Sequence, residues 1–257
     1  MTDEIDESLD WLGNEVDCAS CPHEPMLAAG RCALKHSCVN DRYARRIDRF
    51  FNWNPDLANS YVTHPHFEVR AIAAKHADIF QLPPLLDDPE EAVRWNAARR
   101  LPKRYVLRLR TDPHREVRIR VVSLLEDAEL IPMMSDSDYY VRLVIARRVI
   151  PALLVRMIFD EETEVRRVVA QRIQHDWLLQ MAADPDAAVR LEVAQRLSPD
   201  LLPRLSHDPD WRVRYEVASR IPLSKVAELA DDDDLLVREM VLARLVCEQE
   251  PQRGMLV

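Results

Sequence analysis

Glycine is nearly missing from this chain. Only three of 257 residues are glycine, Gly13, Gly30 and Gly254. Dinucleotide fingerprints and phosphate loops need several glycines so that backbone can approach a phosphate closely, so both are excluded. Turns must rely on proline and aspartate, and 17 prolines are present. Long apolar runs are missing too, and none approaches the ~20 residues of a membrane span. The acidic N-terminus has neither the basic nor the apolar region of a signal peptide, so none is expected. Basic excess is also absent: the net charge is -9. Residues 1–60 carry 11 acids and six bases, and residues 61–257 carry 33 and 29. The second region is dense in charge yet nearly balanced. That favours internal pairing over a phosphate-binding field, so nucleic acid is not the expected partner. No Ser/His/Asp signature and no carboxylate pair stands apart from the repeating pattern, so no enzyme is expected. Five cysteines, an odd number with four clustered, argue against a secreted disulfide framework and for a reducing cytoplasm.

What is present is a Val-Arg pair that returns every 24 residues, from Val69-Arg70 to Val237-Arg238, in eight copies without insertion or deletion. A fixed period of this length marks a stacked-repeat protein. With Val as position 0, position −5 is Asp in seven copies (Asp88, Asp112, Asp136, Asp160, Asp184, Asp208 and Asp232) and His64 in the first. Pro follows it in five copies. Asp-Pro reads as a helix start, with the carboxylate as cap and Pro tolerated in the first turn. Apolar residues at 0, +4, +5 and +8, such as Val189, Val193, Ala194 and Leu197, describe a helix of about a dozen residues with one buried face. Prolines at +9 or +10 end it. Apolar residues at +13 and +16, such as Leu178 and Met181, are spaced for a 3₁₀ turn rather than a strand. Each repeat is therefore expected to be a helix, a corner and a short helical turn running back. One such unit cannot bury its own apolar face, so stability requires stacking.

Two further series recur. Position +1 is always Arg and +7 is Arg in six copies. On a helical wheel +1 falls inside the apolar arc, so a ladder from Arg(+1) to Asp(−5) or to carbonyls of neighbouring repeats is expected. Position +2 holds Trp95, Ile119, Leu143, Leu191 and Tyr215, away from the main core face. This stripe either packs on the next repeat or forms an apolar strip for a protein partner.

Before the repeats, Cys18, Cys21, Cys32 and Cys38 are spaced C-x2-C-x10-C-x5-C. Four thiolates suit tetrahedral zinc or a cubane iron–sulfur cluster. The wide second spacing fits the corners of a cubane better than a zinc ribbon. His23 and His36 read as loop residues, and Cys247 as a small buried residue of the last helix. Thr2 and Asp3 are expected to cap a helix carrying Ile5, Leu9, Leu12 and Val16. A second helix is expected over Val39, Tyr43, Ile47 and Phe50, ended by Trp53, Asn54 and Pro55. Residues 1–60 then form a cysteine-rich cap and residues 61–257 the repeat array.

The 24-residue period, leucines in its second half, helical signals where a leucine-rich repeat has a strand, and the cysteine-rich start together resemble the leucine-rich repeat variant proteins. The resemblance implies an all-α, right-handed superhelical solenoid of alternating α- and 3₁₀-helices without a β-sheet. It implies an N-terminal 4Fe–4S cluster, with Cys18, Cys21, Cys32 and Cys38 as its ligands. It implies no reaction, and it suggests a redox setting through association with nitrogen-fixing bacteria. The expected function is a non-enzymatic scaffold that binds an unidentified protein partner, with the cluster in electron transfer, redox sensing or capping. The alternative is a nucleic-acid-binding solenoid that uses its arginine ladders, with a structural zinc or iron–sulfur site.

Overall fold

The structure, a computed structural model, describes residues 7–249, with side chains through residue 246. Thr2, Asp3, Ile5 and the Cys247 side chain lie outside the described residues. No β-strand occurs among the described residues, and the only extended pairings are two isolated bridges, Leu9↔Glu15 and Ala33↔Ser37. The chain divides into two compact units, 1–129 and 130–257. The change of sequence pattern near residue 60 therefore falls inside the first unit.

The first unit contains helices α1 (Glu24–Ala28), α2 (Ala44–Trp53), α3 (Phe67–Ala73), α4 (Glu91–Ala98) and α5 (Arg115–Val122). The helix expected through Leu9, Leu12 and Val16 is absent. Asp10 Oδ1 instead accepts the amides of Leu12 and Asn14 at 2.8 Å, and Gly13 takes a φ of 89°. An acidic side chain that captures its own downstream amides, followed by a left-handed glycine, closes a turn and leaves no helical ladder. The second helix starts later than the spacing suggested. Val39 is buried ahead of it, and Asp41 Oδ1 holds the Tyr43 amide at 2.9 Å, just before Ala44. Ile47, Phe50 and Phe51 are fully buried, and Phe51 meets Phe50 and Tyr61 edge-on at 5.4 and 5.5 Å.

The second unit contains α6 (Tyr139–Arg148), α7 (Thr163–Arg172), α8 (Ala187–Arg196), α9 (Trp211–Arg220) and α10 (Leu235–Gln249). In both units the repeat Val is at most 1% exposed, and so is the +4 residue. The +13 and +16 pairs are buried as well, including Val226 and Leu229 in the seventh repeat. The +16 residues lie on 3₁₀ turns, and in segments such as His175–Leu178 and Leu223–Val226 the +13 residue closes a single α-helical turn just ahead.

Two details depart from expectation. The repeat helices before α10 span 7 to 10 residues. In the ten-residue helices the +8 residue is an extended C-cap: Ile173 has φ −58° and ψ 153° and is fully buried, so it turns the corner while filling the core. Secondly, Asp(−5) does not cap the helix. It lies two residues ahead of the N-cap at −3, and its Oδ1 accepts that residue's amide, as Asp184 does from Asp186 at 2.9 Å. The cap is Asp186 itself, whose Oδ1 takes the Ala188 amide at 2.8 Å. An Asx turn thus aims the chain, and a second carboxylate caps it.

Candidate metal centre

The loop from Val16 to Asn40 is folded by local hydrogen bonds that bring its cysteines together. Asp17 Oδ1 takes the Ala19 amide at 2.9 Å, and the Cys21 amide donates to Cys18 O at 3.3 Å, so these two thiols share a tight turn. The five-residue gap between Cys32 and Cys38 has a different device. Ala33 and Ser37 exchange both backbone hydrogen bonds at 2.8 Å, with Lys35 at φ 60° in the turn between them. Cys32 and Cys38 flank that bridge, and both line the same pocket. Asn54, fully buried at the end of α2, ties the loop down by donating to Arg31 O at 2.8 Å and Phe50 O at 2.9 Å. Arg46 on α2 pairs with buried Asp41 at 2.8 Å, and Arg49 donates to His36 O at 2.8 Å.

All four cysteines line one small open-mouthed pocket, whose apolar walls are Val16, Leu27, Leu34, Val39 and Phe50 and which His23 and Glu24 also line. None is in a disulfide. No lysine or arginine lines the pocket. Among the described residues, no three His, Cys, Asp or Glu side chains close on a single ion position. The electrostatics tie the thiols to one another. Burial, then repulsion from Cys21 and Asp17, raises the Cys18 pKa. Burial and then Cys18 and Cys21 do the same to Cys32. Cys38, between buried Ser37 and Val39, is pushed up to about 11, chiefly by burial. Burial also lifts the Tyr61 phenol to about 12, with Cys21 and Cys38 adding to it. Four cysteines in one largely apolar pocket without a lysine or arginine can all be thiolates only around a cationic core.

His23 is more than a loop residue: its Nε2 shares a hydrogen bond with the Tyr61 hydroxyl, and its ring lies 5.3 Å from that of Phe50. Its amide donates to Cys21 Sγ at 3.4 Å. His36 packs on Trp53 at 5.5 Å. Neither histidine pairing has a signal in sequence spacing.

The arginine series are internal. Arg(+1) grips the next repeat's Asp(−5) through two guanidinium nitrogens: Arg94 to Asp112 at 2.7 Å and Arg166 to Asp184 at 2.7 and 3.1 Å are examples. Its third nitrogen donates to a carbonyl of its own repeat, as Arg166 does to Asp160 O at 2.8 Å. Arg(+7) reaches backwards instead. Arg196 donates to Ala170 O and Ile173 O at 2.5 and 2.6 Å, closing the C-terminal carbonyls of α7. Arg100, Arg172, Arg220 and Arg244 do the same for the helices before them. This second ladder was not read from the sequence, although the +7 period was its signal. The +2 stripe is not one exposed strip. Leu143 is buried, while Trp95, Ile119, Leu191 and Tyr215 are half-buried.

The comparisons with known proteins agree with this geometry. Residues 8–60 match the family described as "LRV protein FeS4 cluster", and residues 187–210 match "Leucine rich repeat variant". Over 96 residues, 37% of this chain, it is 50% identical to "Uncharacterized 27.7 kDa protein in nifB 3'region" of Rhodobacter capsulatus. That match spans 39% of the relative's length. A solved structure described as a leucine-rich repeat variant with a novel repetitive protein structural motif is 40% identical. It superposes with a TM-score of 0.80, over 89% of this chain and 98% of that one. An iron–sulfur cap joined to an all-α repeat fold makes this chain a member of the leucine-rich repeat variant family.

Proposed function

We propose that the chain is a non-enzymatic scaffold whose cap carries a 4Fe–4S cluster on Cys18, Cys21, Cys32 and Cys38, used for one-electron transfer or redox sensing. The observation that carries this reading is the meeting of four free cysteines in one largely apolar pocket, without lysine or arginine, that opens to solvent. The donor set fits a cluster with one cysteine per iron, which leaves no iron open for a substrate. Bound there, the cluster supplies electron exchange. The chain's own residues supply the rest: the Cys18 turn and the Ala33↔Ser37 bridge set the sulfur positions, and Phe50 and Val39 exclude water from the inner side. No reaction is proposed. A cytoplasmic location belongs to the same proposal, supported by the free thiols, and no described helix is long and apolar enough to cross a membrane.

The partner we propose is an acidic protein surface. The stretch 94–120 holds ten lysines and arginines against two acids in a chain of net charge -9. Several of those bases belong to the ladders, but Arg99 and Arg120 are exposed, and Arg120 lies over Trp95 at 5.7 Å. Trp95 and Ile119 of the +2 stripe sit in this stretch; Leu143, Leu191 and Tyr215 are a weaker part of the proposal. Nucleic acid is not proposed, because the ladder guanidinium groups are spent on aspartates and carbonyls. A low-salt binding assay against single- and double-stranded oligonucleotides tests that choice, and salt-sensitive retention would reverse it. Anaerobic iron and sulfide analysis tests the cluster, and reversible one-electron bleaching of its visible absorption tests the redox role.

A further inference from the structure

Asn40 stands between two of the four sulfurs. Its side-chain Nδ2 donates to Cys21 Sγ at 3.5 Å, a normal separation for a sulfur acceptor. Its backbone N–H donates to Cys38. Asn40 is half-buried between buried Val39 and buried Asp41. Asp41 is fixed at both oxygens, by the Tyr43 amide at 2.9 Å and by Arg46 at 2.8 Å. The segment that carries Asn40 is therefore anchored to α2 and holds both donors against the sulfurs.

Hydrogen bonds to cluster sulfurs are one of the main determinants of reduction potential. They stabilise negative charge on sulfur, and more so after an electron has been added. One other donor reaches the same sulfur, the His23 amide to Cys21 Sγ at 3.4 Å. The remaining lining is mostly apolar and holds no lysine or arginine, so few groups favour negative charge on the sulfurs. We propose that Asn40 tunes the potential of this centre, holding it above the value that the pocket would impose without its side-chain donor. Asn40 is a positioning and tuning residue here, not a ligand. This inference rests on the iron–sulfur reading above. The step concerned is addition of one electron, from dithionite, with no bond made or broken and no proton moved.

The test is an anaerobic reductive titration of the full chain and of three variants, Asn40→Leu, Asn40→Ser and Asn40→Asp, followed by visible absorption and with iron and sulfide measured on each sample. Leu removes the donor at similar volume, Ser is too short to reach Cys21, and Asp replaces the donor by a charge. With cluster content equal to the wild type, the first two should shift the reduction equilibrium about threefold toward the oxidised form. Asp should shift it further. Midpoints equal to the wild type in loaded variants would overturn the proposal. So would loss of the cluster from all three, since Asn40 would then serve assembly rather than potential. A wild-type chain without iron and sulfide would instead defeat the underlying reading, and the two failures are distinguishable.

Discussion

At the scale of single residues, the recurring arginine and aspartate are parts of one joint. Arg166 and Asp184 are largely buried, with side chains 10% and 5% exposed, and every polar atom of the joint has a partner in its own or the adjacent repeat. Removing one partner strands the other charge, which costs about 3–5 kcal/mol. Asp184→Ala is expected to lose stability on that scale in urea unfolding. A double change, Arg166→Met with Asp184→Leu, should recover part of the loss, and additive losses would show that the pair does not interact. The same joint predicts acid sensitivity. The hydrogen bonds from Arg214 hold Asp232 below its ordinary pKa of 3.8, despite opposing burial. A carboxylate lowered by folding stabilises fully above its unfolded pKa, and that contribution is lost as pH falls through the folded value. Stability should therefore be level near neutrality and decline below about pH 4. Asp232→Asn should flatten that limb, and an unchanged pH profile would contradict this assignment.

At the scale of elements, an inner repeat helix such as α8 is held from both sides: forward through Arg190 to Asp208, backward through Arg196 to Ala170 O and Ile173 O. The third repeat lacks the backward tie, because Leu124 stands at +7 and is 42% exposed. By the register of the ladder, Leu124→Arg can reach the carbonyls of Ala98 and Leu101. Two added hydrogen bonds, less the entropy of fixing the side chain, should raise the melting temperature by about 2–4 °C. Conversely, Arg196→Met should lower it by a similar amount. A melting temperature unmoved in both would show that these contacts add nothing. Much of this level was legible in the sequence. Val at 0 and the +4, +5 and +8 residues set the buried face, and +13 and +16 set the 3₁₀ turn, because burial follows periodicity directly. The cap helix over Leu9–Val16 was not legible. Apolar spacing there suits a helix, but Asp10 and Gly13 settle the backbone by local hydrogen bonding and a left-handed φ. The role of Asp(−5) was half legible, since its period announced a partner while the Asx turn that moves the cap to −3 is a matter of geometry.

At the scale of the whole molecule, the candidate metal centre lies in the cap and the periodic buried core in the repeats. That the four cysteines share one pocket was legible in their clustering, but not the bridge between Cys32 and Cys38, because nothing in Lys35 signals a left-handed turn. Asn40 was equally hidden, as a lone asparagine has no period. Since no lysine or arginine lining the pocket offsets the thiolates, removing the metal should loosen the cap selectively. Hydrogen exchange should then quicken in residues 16–43 while α7 to α9 keep their protection, and uniform quickening would contradict that division. The central claim is that Cys18, Cys21, Cys32 and Cys38 hold an iron–sulfur cluster. It is tested most directly by iron, zinc and acid-labile sulfide analysis of the anaerobically purified chain, beside a Cys38→Ser variant. The expected result is about four irons and four sulfides per wild-type chain, with broad visible absorption that is diminished in the variant. Zinc bound without iron or sulfide would contradict the claim.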